Sequence, residues 1–269
     1  MKANPKSTGS KNNAVFRNGH IQQRDPSLIP PEQAYNSEFK IQNSKLDYNR
    51  LWQHDICLRK KFPVLAGVDE AGRGPLAGNV VAACTVLDLN NPIPEVNDSK
   101  KIPEKRREKL FTIIKEKAVF YGIGECSPAE IDEYNILQAS LTAMKRAVAD
   151  AGCSPDLVLV DGNRSIPSLD VPQRCLIKGD GLSASIAAAS ILAKVTRDRQ
   201  MLELHSQYPE YGFNTNKGYG SQKHIEAIRH HGLTPAHRRS FRPVSLRQLN
   251  IFSSSEESES VEQGERSGE

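Results

Sequence analysis

Apolar residues along this chain gather into short runs closed by acids or glycines, separated by stretches whose apolar positions recur every three or four residues. PVLAGVDEA, from Pro63, and NVVAACTVLD, Asn79 to Asp88, read as two strands, the second rich in β-branched residues. The residues between them leave too little room for a crossover helix, which predicts an antiparallel hairpin. PEKRREKLFTIIKEKA carries Leu110, Ile113 and Ile114 on helical spacing, and AVFYGIGEC follows as a third strand. SPAEIDEYN and ILQASLTAMKRAVADAG predict two more helices, the second stopped by Gly152. PDLVLVDGN and QRCLIKGD read as strands, and LSASIAAASILAKVTRDRQMLELHSQY is the longest helical pattern, its small residues implying close packing on a sheet. Upstream, Asp47 to Lys61 predicts a short helix leading into the body, and downstream HIEAIRHHG predicts another in a basic, aromatic segment.

Three of the apolar runs end in acids: Asp69 with Glu70, Asp161, and Asp180. Carboxylates at strand ends can meet at one edge of a sheet even when far apart in sequence, which is where open α/β folds place their sites. Four acids meeting there repel one another unless divalent cations lie between them, and hard cations such as Mg²⁺ prefer carboxylate oxygen. Two such ions, about 3.5 to 4 Å apart, activate a water and stabilise the leaving oxygen in phosphodiester hydrolysis. Asp98 and Asp198 are rivals for the fourth place. Asp198 lies next to Arg197 and Arg199, so an ordinary ion pair is its better reading. Asp180 directly precedes the long helix, where a carboxylate both caps the helix and reaches a metal.

The ordered motifs GVDEAGRGPLAG, NDSKK, IDEYNIL, DGN, KGD, AASILAKVTRD, YGFNTNKGYG and HRRSF resemble those of ribonuclease HII, the bacterial type 2 ribonuclease H. The resemblance covers roughly Leu65 to Pro243. It implies a ribonuclease H-like α/β fold, a mixed β-sheet flanked by helices with a helical C-terminal segment completing the substrate groove. It also implies an endonuclease, dependent on Mn²⁺ or Mg²⁺, that acts in ribonucleotide removal and in DNA replication and repair. Such an enzyme cuts the RNA strand of RNA/DNA hybrids and nicks duplex DNA 5′ of an embedded ribonucleotide, leaving 3′-hydroxyl and 5′-phosphate ends. The family's catalytic, metal-holding carboxylates fall on Asp69, Glu70, Asp161 and Asp180. Its ribonucleotide-reading element falls on Gly72, Arg73 and Gly74, and the tyrosine that packs beside it on Tyr219. Flanking glycines let main chain approach a sugar where a Cβ would collide, and the 2′-hydroxyl is the group that separates RNA from DNA. Lys100, Lys101, Lys178, Lys194, Lys217, Arg238 and Arg239 are candidate phosphate contacts. Type 3 ribonuclease H shares fold and carboxylates, but its extra N-terminal domain has no counterpart in the polar, proline-broken residues 1 to 60.

Charge adds an asymmetry. The net of +4 includes a tail, Ser253 to Glu269, with six Glu and one Arg, whereas residues 1 to 24 carry Lys2, Lys6, Lys11, Arg17 and Arg24 and no acid. Residues 1–60 are therefore expected to be a largely disordered extension, 61–248 the catalytic domain and 249–269 a disordered acidic tail. Five cysteines without a CxxC pair fit neither a disulfide framework nor a zinc site. With no apolar stretch of membrane-spanning length, the protein is expected to be cytoplasmic and monomeric, with no membrane partner. A basic body suits a polyanion. Substrate affinity should fall as salt rises, because phosphate contacts release counterions. Deleting Ser253 to Glu269 should leave catalysis intact and strengthen binding slightly or not at all; a large loss of activity in a steady-state cleavage assay would show the tail to be part of the working structure.

Overall fold

The computed structural model of the chain describes residues 46–241; the N-terminal stretch up to residue 45 and the acidic tail lie outside the described residues. Five strands, β1 (Leu65–Ala71), β2 (Val80–Leu87), β3 (Ala118–Cys126), β4 (Leu157–Asp161) and β5 (Gln173–Leu176), form one sheet in the order β3-β2-β1-β4-β5. The predicted hairpin is present: β1 and β2 pair antiparallel with Asp69 opposite Ala83, and β3 adds antiparallel to β2. β4 runs parallel to β1, and β5 parallel to β4, so the sheet is mixed. The helices are α1 (Leu46–Arg59), α2 (Glu104–Lys117), α3 (Pro128–Tyr134), α4 (Ile136–Asp150), α5 (Ala184–Gln207), α6 (Phe213–Asn216) and α7 (Gln222–His231).

Strand alternation decides what each face meets. Even-numbered Ala66, Val68, Ala82, Cys84, Val86, Val158 and Val160 pack under α4 with Met144, Ala147 and Val148. Odd-numbered Leu65, Ala83, Leu87, Leu157 and Leu159 meet α5 through Ile186, Ala187 and Ile191. Gly67 lies on this second face, where a Cβ would stand 2.3 Å from the main-chain carbon of Ser185. That closeness is why the first turns of α5 are rich in alanine and serine. α3 opens with the capping box of Ser127 and Glu130, and Asn135 caps α4. Among the described residues no helix is long and apolar enough to cross a membrane.

α1 joins the α5 side of the core. Leu51 and Trp52 are both 2% exposed and pack in one cluster with Leu110 and Ile114 of α2, so the packed body begins ahead of the boundary expected at residue 61. The anchor is polar. Asp55 is fully buried; one of its oxygens accepts from the Ser183 hydroxyl at 3.0 Å and the Ser185 N–H at 2.8 Å, and the other from His54 Nδ1–H at 2.9 Å. A side chain 128 residues upstream thereby holds the first turn of α5. Asp55→Ala should cost about 3 kcal/mol, because it strands the buried Ser183 and Ser185 donors. Urea unfolding reads this directly, and an unchanged midpoint would reduce α1 to a loosely attached appendage.

Candidate active site

The β1–β4 register runs from Leu65 beside Leu157 to Val68 beside Val160. The next step sets Asp69 beside Asp161, both odd-numbered and therefore both on the α5 face. Two carboxylates thus leave the carboxyl ends of adjacent parallel strands together. Asp69 accepts the Glu70 N–H at 2.7 Å, and Asp161 accepts the Gly179 N–H at 2.6 Å. This second bond draws the KGD segment across to the end of β4. Asp180 comes from a 3-10 turn, Gly179–Gly181, and not from a strand end as expected, because the strand stops at Leu176 and Lys178 turns left-handed at φ 57°. Nor does Asp180 cap α5. Ser183 does so, its Oγ accepting the Ile186 N–H at 3.2 Å.

Burial and mutual repulsion raise the affinity of Asp69, Glu70 and Asp180 for protons. The Asp69 carboxyl is pushed well above the usual carboxylate range by desolvation, then by Glu70 and Asp161. Glu70 is raised by desolvation and Asp161 against the pull of Arg73, whose guanidinium donates to it at 3.2 Å. Asp180 is raised by desolvation, then by Asp98 and Asp161. Asp98, the rival candidate, therefore stands beside the four; it caps the turn Ser99–Lys101 by accepting the Lys100 N–H at 2.9 Å. Ser99 in turn meets the Ser190 hydroxyl at 2.8 Å, fastening NDSKK to α5. Burial works against the Lys100 ammonium, yet the fields of Asp180, Asp69, Asp98 and Asp161 together raise its pKa. Lys101 and Lys178 are exposed. Lys194 donates to Asp198 at 2.6 Å, and Arg107 approaches the same carboxylate at 3.8 Å. The expected ion pair of Asp198 therefore exists, but not with Arg197 or Arg199, which leave the helix in other directions, as residues one apart do.

Beyond the carboxylates lies the loop that carries Gly72, Arg73 and Gly74. Gly72 has φ +95°, and a Cβ on it would fall 2.2 Å from Arg197 Nε. Arg197, 1% exposed, donates to the carbonyls of Asn79, Ala77 and Lys217 at 3.0 to 3.1 Å. Arg238, expected among the phosphate contacts, is also 1% exposed and cannot reach a phosphate from there. It donates instead to the carbonyls of Gly72, Arg73, Pro75 and Gly78 at 2.6 to 3.0 Å. Sequence reading missed this pair, since an arginine in a basic segment reads as surface charge. Asp132 of IDEYNIL holds the neighbouring HRRSF segment, accepting the N–H groups of Arg239 and Ser240 at 2.8 and 2.9 Å. Arg239 itself is exposed. The ring of Tyr219 stands beside Gly74, whose Cβ would meet it at 3.4 Å, and the residue is 52% exposed.

Among the described residues no three His, Cys, Asp or Glu side chains are already gathered at metal-ligating spacing. The donor chemistry nonetheless fits hard divalent cations: oxygen ligands only, on neighbouring elements, with Asp69 and Asp180 buried and raised in proton affinity by that burial and by the like charges beside them, a repulsion that a cation would relieve. A family model described as Ribonuclease HII matches residues 66–244. Ribonuclease HII of Desulfitobacterium hafniense is 58% identical over 233 residues, covering 81% of this chain and 89% of that relative. That of Shewanella halifaxensis is 58% identical over 179 residues, covering 66% and 88%. Among solved structures, the ribonuclease H2 from Pyrococcus horikoshii OT3 is similar with a TM-score of 0.57 at 30% identity, covering 66% of this chain and 93% of that one. The matched span takes in the carboxylates, the glycine-flanked arginine and Tyr219 alike, and the chain belongs to the ribonuclease HII family of endonucleases.

Proposed function

We propose that this chain hydrolyses the RNA strand of RNA/DNA hybrids and nicks duplex DNA on the 5′ side of an embedded ribonucleotide, leaving 3′-hydroxyl and 5′-phosphate ends. The observation that carries this reading is the pairing of Asp69 and Asp161 at adjacent parallel strand ends, with Asp180 and Lys100 beside them and an exposed Arg73 and Tyr219 within the same surface. Divalent cations, Mn²⁺ or Mg²⁺, held by Asp69, Glu70, Asp161 and Asp180, would supply an activated water and neutralise the leaving oxygen. The chain's own residues do the placing. Gly74 leaves room beside the Tyr219 ring for the ribose to lie against main chain, where the 2′-hydroxyl is read by groups that DNA does not satisfy, while Gly72 supplies the positive φ that lets the loop pass over Arg197. Arg73, half exposed and only loosely tied to Glu70, is free to take a phosphate. Lys100, Lys101, Lys178 and Lys194 line the approach of the strand as further phosphate contacts, Lys194 after leaving Asp198. Tyr219 offers a ring face to the deoxyribose that follows the ribonucleotide. The working body extends from α1 to the C-terminal helices, flanked by a basic N-terminal stretch and an acidic tail, and acts as a cytoplasmic monomer in ribonucleotide removal.

Asp69→Asn or Asp161→Asn should lower cleavage on the order of 100- to 1,000-fold, as expected when a transition-state electrostatic group is lost. The same changes should raise the melting temperature of the metal-free protein by about 2 to 4 °C, since about 1 kcal/mol of carboxylate repulsion is relieved. Cleavage that persists in excess chelator, or survives either substitution, would refute the assignment. Tyr219 and Arg73 separate sugar reading from strand positioning. On duplex DNA with one ribonucleotide against a continuous hybrid, Tyr219→Ala should lose most of the preference for the first, shape discrimination being worth about 1 to 3 kcal/mol. Tyr219→Phe should keep it. Arg73→Ala should slow both substrates together, because phosphate contacts position without reading the sugar. Equal losses on both substrates for Tyr219→Ala would make the ring a structural residue only.

A further inference from the structure

Behind Tyr219 lie two buried imidazoles for which the chemistry above has no use. His224 of α7 is 0% exposed, and His237, which bridges to Ala77 beside the glycine loop, is 3% exposed. Their partners determine where every proton sits. The Thr234 N–H points at His237 Nδ1 at 3.0 Å, and the Thr234 hydroxyl meets the same nitrogen at 2.9 Å. A main-chain N–H can only donate, so Nδ1 of His237 is an acceptor and the proton of the neutral ring is on Nε2. That Nε2 faces His224 Nε2 at 3.1 Å, where one nitrogen has to donate and the other accept. The His224 proton is therefore on Nδ1, which lies 2.9 Å from the carbonyl oxygen of Tyr219. One arrangement of protons on two neutral rings satisfies the whole chain, and it runs in one direction, from Thr234 to Tyr219. Burial, with His224 adding to it, holds the His237 ring at about 4, and burial lowers His224 as well, so both are neutral at physiological pH. Phe213 and Tyr211 pack on the rings with centroids 5.3 Å from His224 and 4.9 Å from His237, leaving them little freedom to turn.

The relay ends on the main chain of the one residue in this segment whose ring stands out beside Gly74. The loop on the other side is tied in as well, with the Leu76 N–H donating to Gly218 O at 2.8 Å and Gly220 packed against Leu76. We propose that His224, oriented by His237, is a positioning residue for Tyr219: its Nδ1–H pins the Tyr219 carbonyl so that the exposed ring is presented to the sugar next to the scissile ribonucleotide at a set depth. Neither histidine touches substrate. The proposal rests on the reading of Tyr219 as the residue that packs on that sugar.

The test measures the ratio of cleavage rates on duplex DNA with one ribonucleotide and on a continuous hybrid, in the full-length protein with Mn²⁺. His224→Leu should lower that ratio about fivefold, the equivalent of one lost hydrogen bond of about 1 kcal/mol. His224→Asn, whose amide nitrogen takes the place of Nδ1, should restore it, whereas His224→Gln, whose nitrogen takes the place of Nε2, should not. Added to Tyr219→Ala, His224→Leu should change the ratio no further. Nitrogen NMR of the histidine side chains gives a readout that needs no substrate: His224 should carry its proton on Nδ1 and His237 on Nε2. If Tyr219→Ala lowers the ratio while the Leu, Asn and Gln variants all behave alike, the positioning role is overturned and the reading of Tyr219 stands. If Tyr219→Ala leaves the ratio untouched, the reading of Tyr219 falls and the positioning role falls with it. A His224 proton found on Nε2 overturns the relay whatever the rates. Should His224→Leu fail to fold, the contrast between Asn and Gln decides alone.

Discussion

Main-chain carbonyls turned inward without a sheet or helix to satisfy them are the constraint on which this site depends. The loop between β1 and β2 carries Gly72 to Asn79 over the top of α5, and its carbonyls point into the protein. A buried carbonyl without a donor is costly. Arg197 and Arg238 supply the donors, a guanidinium being the side chain with enough N–H groups in fixed directions to serve several carbonyls at once. Burial lowers the Arg238 guanidinium to about 9, with Arg197 adding to the effect, and burial lowers Arg197 too; both still hold their charge near neutrality, solvated by carbonyl dipoles in place of water. The loop that presents Arg73 is thereby held from below by two cations that never reach the surface.

The carboxylates pose the opposite problem. Asp69 and Asp161 stand together because parallel pairing of β1 and β4 leaves no alternative once the register is set by the apolar residues behind them. A one-residue slip would send every apolar side chain of β4 to the wrong face, so core packing maintains the proximity of two like charges. The cost shows as raised proton affinity at Asp69, Glu70 and Asp180. Lys100 offsets part of it in the isolated protein. That crowding of like charges is maintained here by hydrophobic burial on two sheet faces.

Support for the site comes from far along the chain. Asp55 of α1 steadies the start of α5, just after Asp180, and Asp132 of α3 clasps the segment that delivers Arg238. Each is an acid whose oxygens accept main-chain N–H groups together with a serine hydroxyl, so each joins two distant pieces of backbone. The Asp132 contact is what joins the motifs IDEYNIL and HRRSF, through the N–H groups of Arg239 and Ser240.

What the sequence by itself determined was local: the hairpin, the long small-residue helix, the helices after Ser127 and Asn135, and the acids Asp69, Glu70 and Asp161 at the ends of apolar runs. These follow from periodicity and from the chemistry of single residues, which act over a few positions of chain. Asp180 was legible in the same way, as the acid closing a third run, and motif order extended the reading to the family and to Arg73 and Tyr219, whose roles came only through the resemblance. Tertiary structure alone decided that Asp180 sits in a turn and leaves the capping of α5 to Ser183, because a left-handed Lys178 breaks the strand. It alone decided that Arg238 is buried scaffold, that Arg107 approaches Asp198, and that α1 belongs to the core. Whether a charged side chain meets water or a carbonyl depends on which backbone passes over it, and contacts between residues more than a hundred positions apart leave no trace in local pattern.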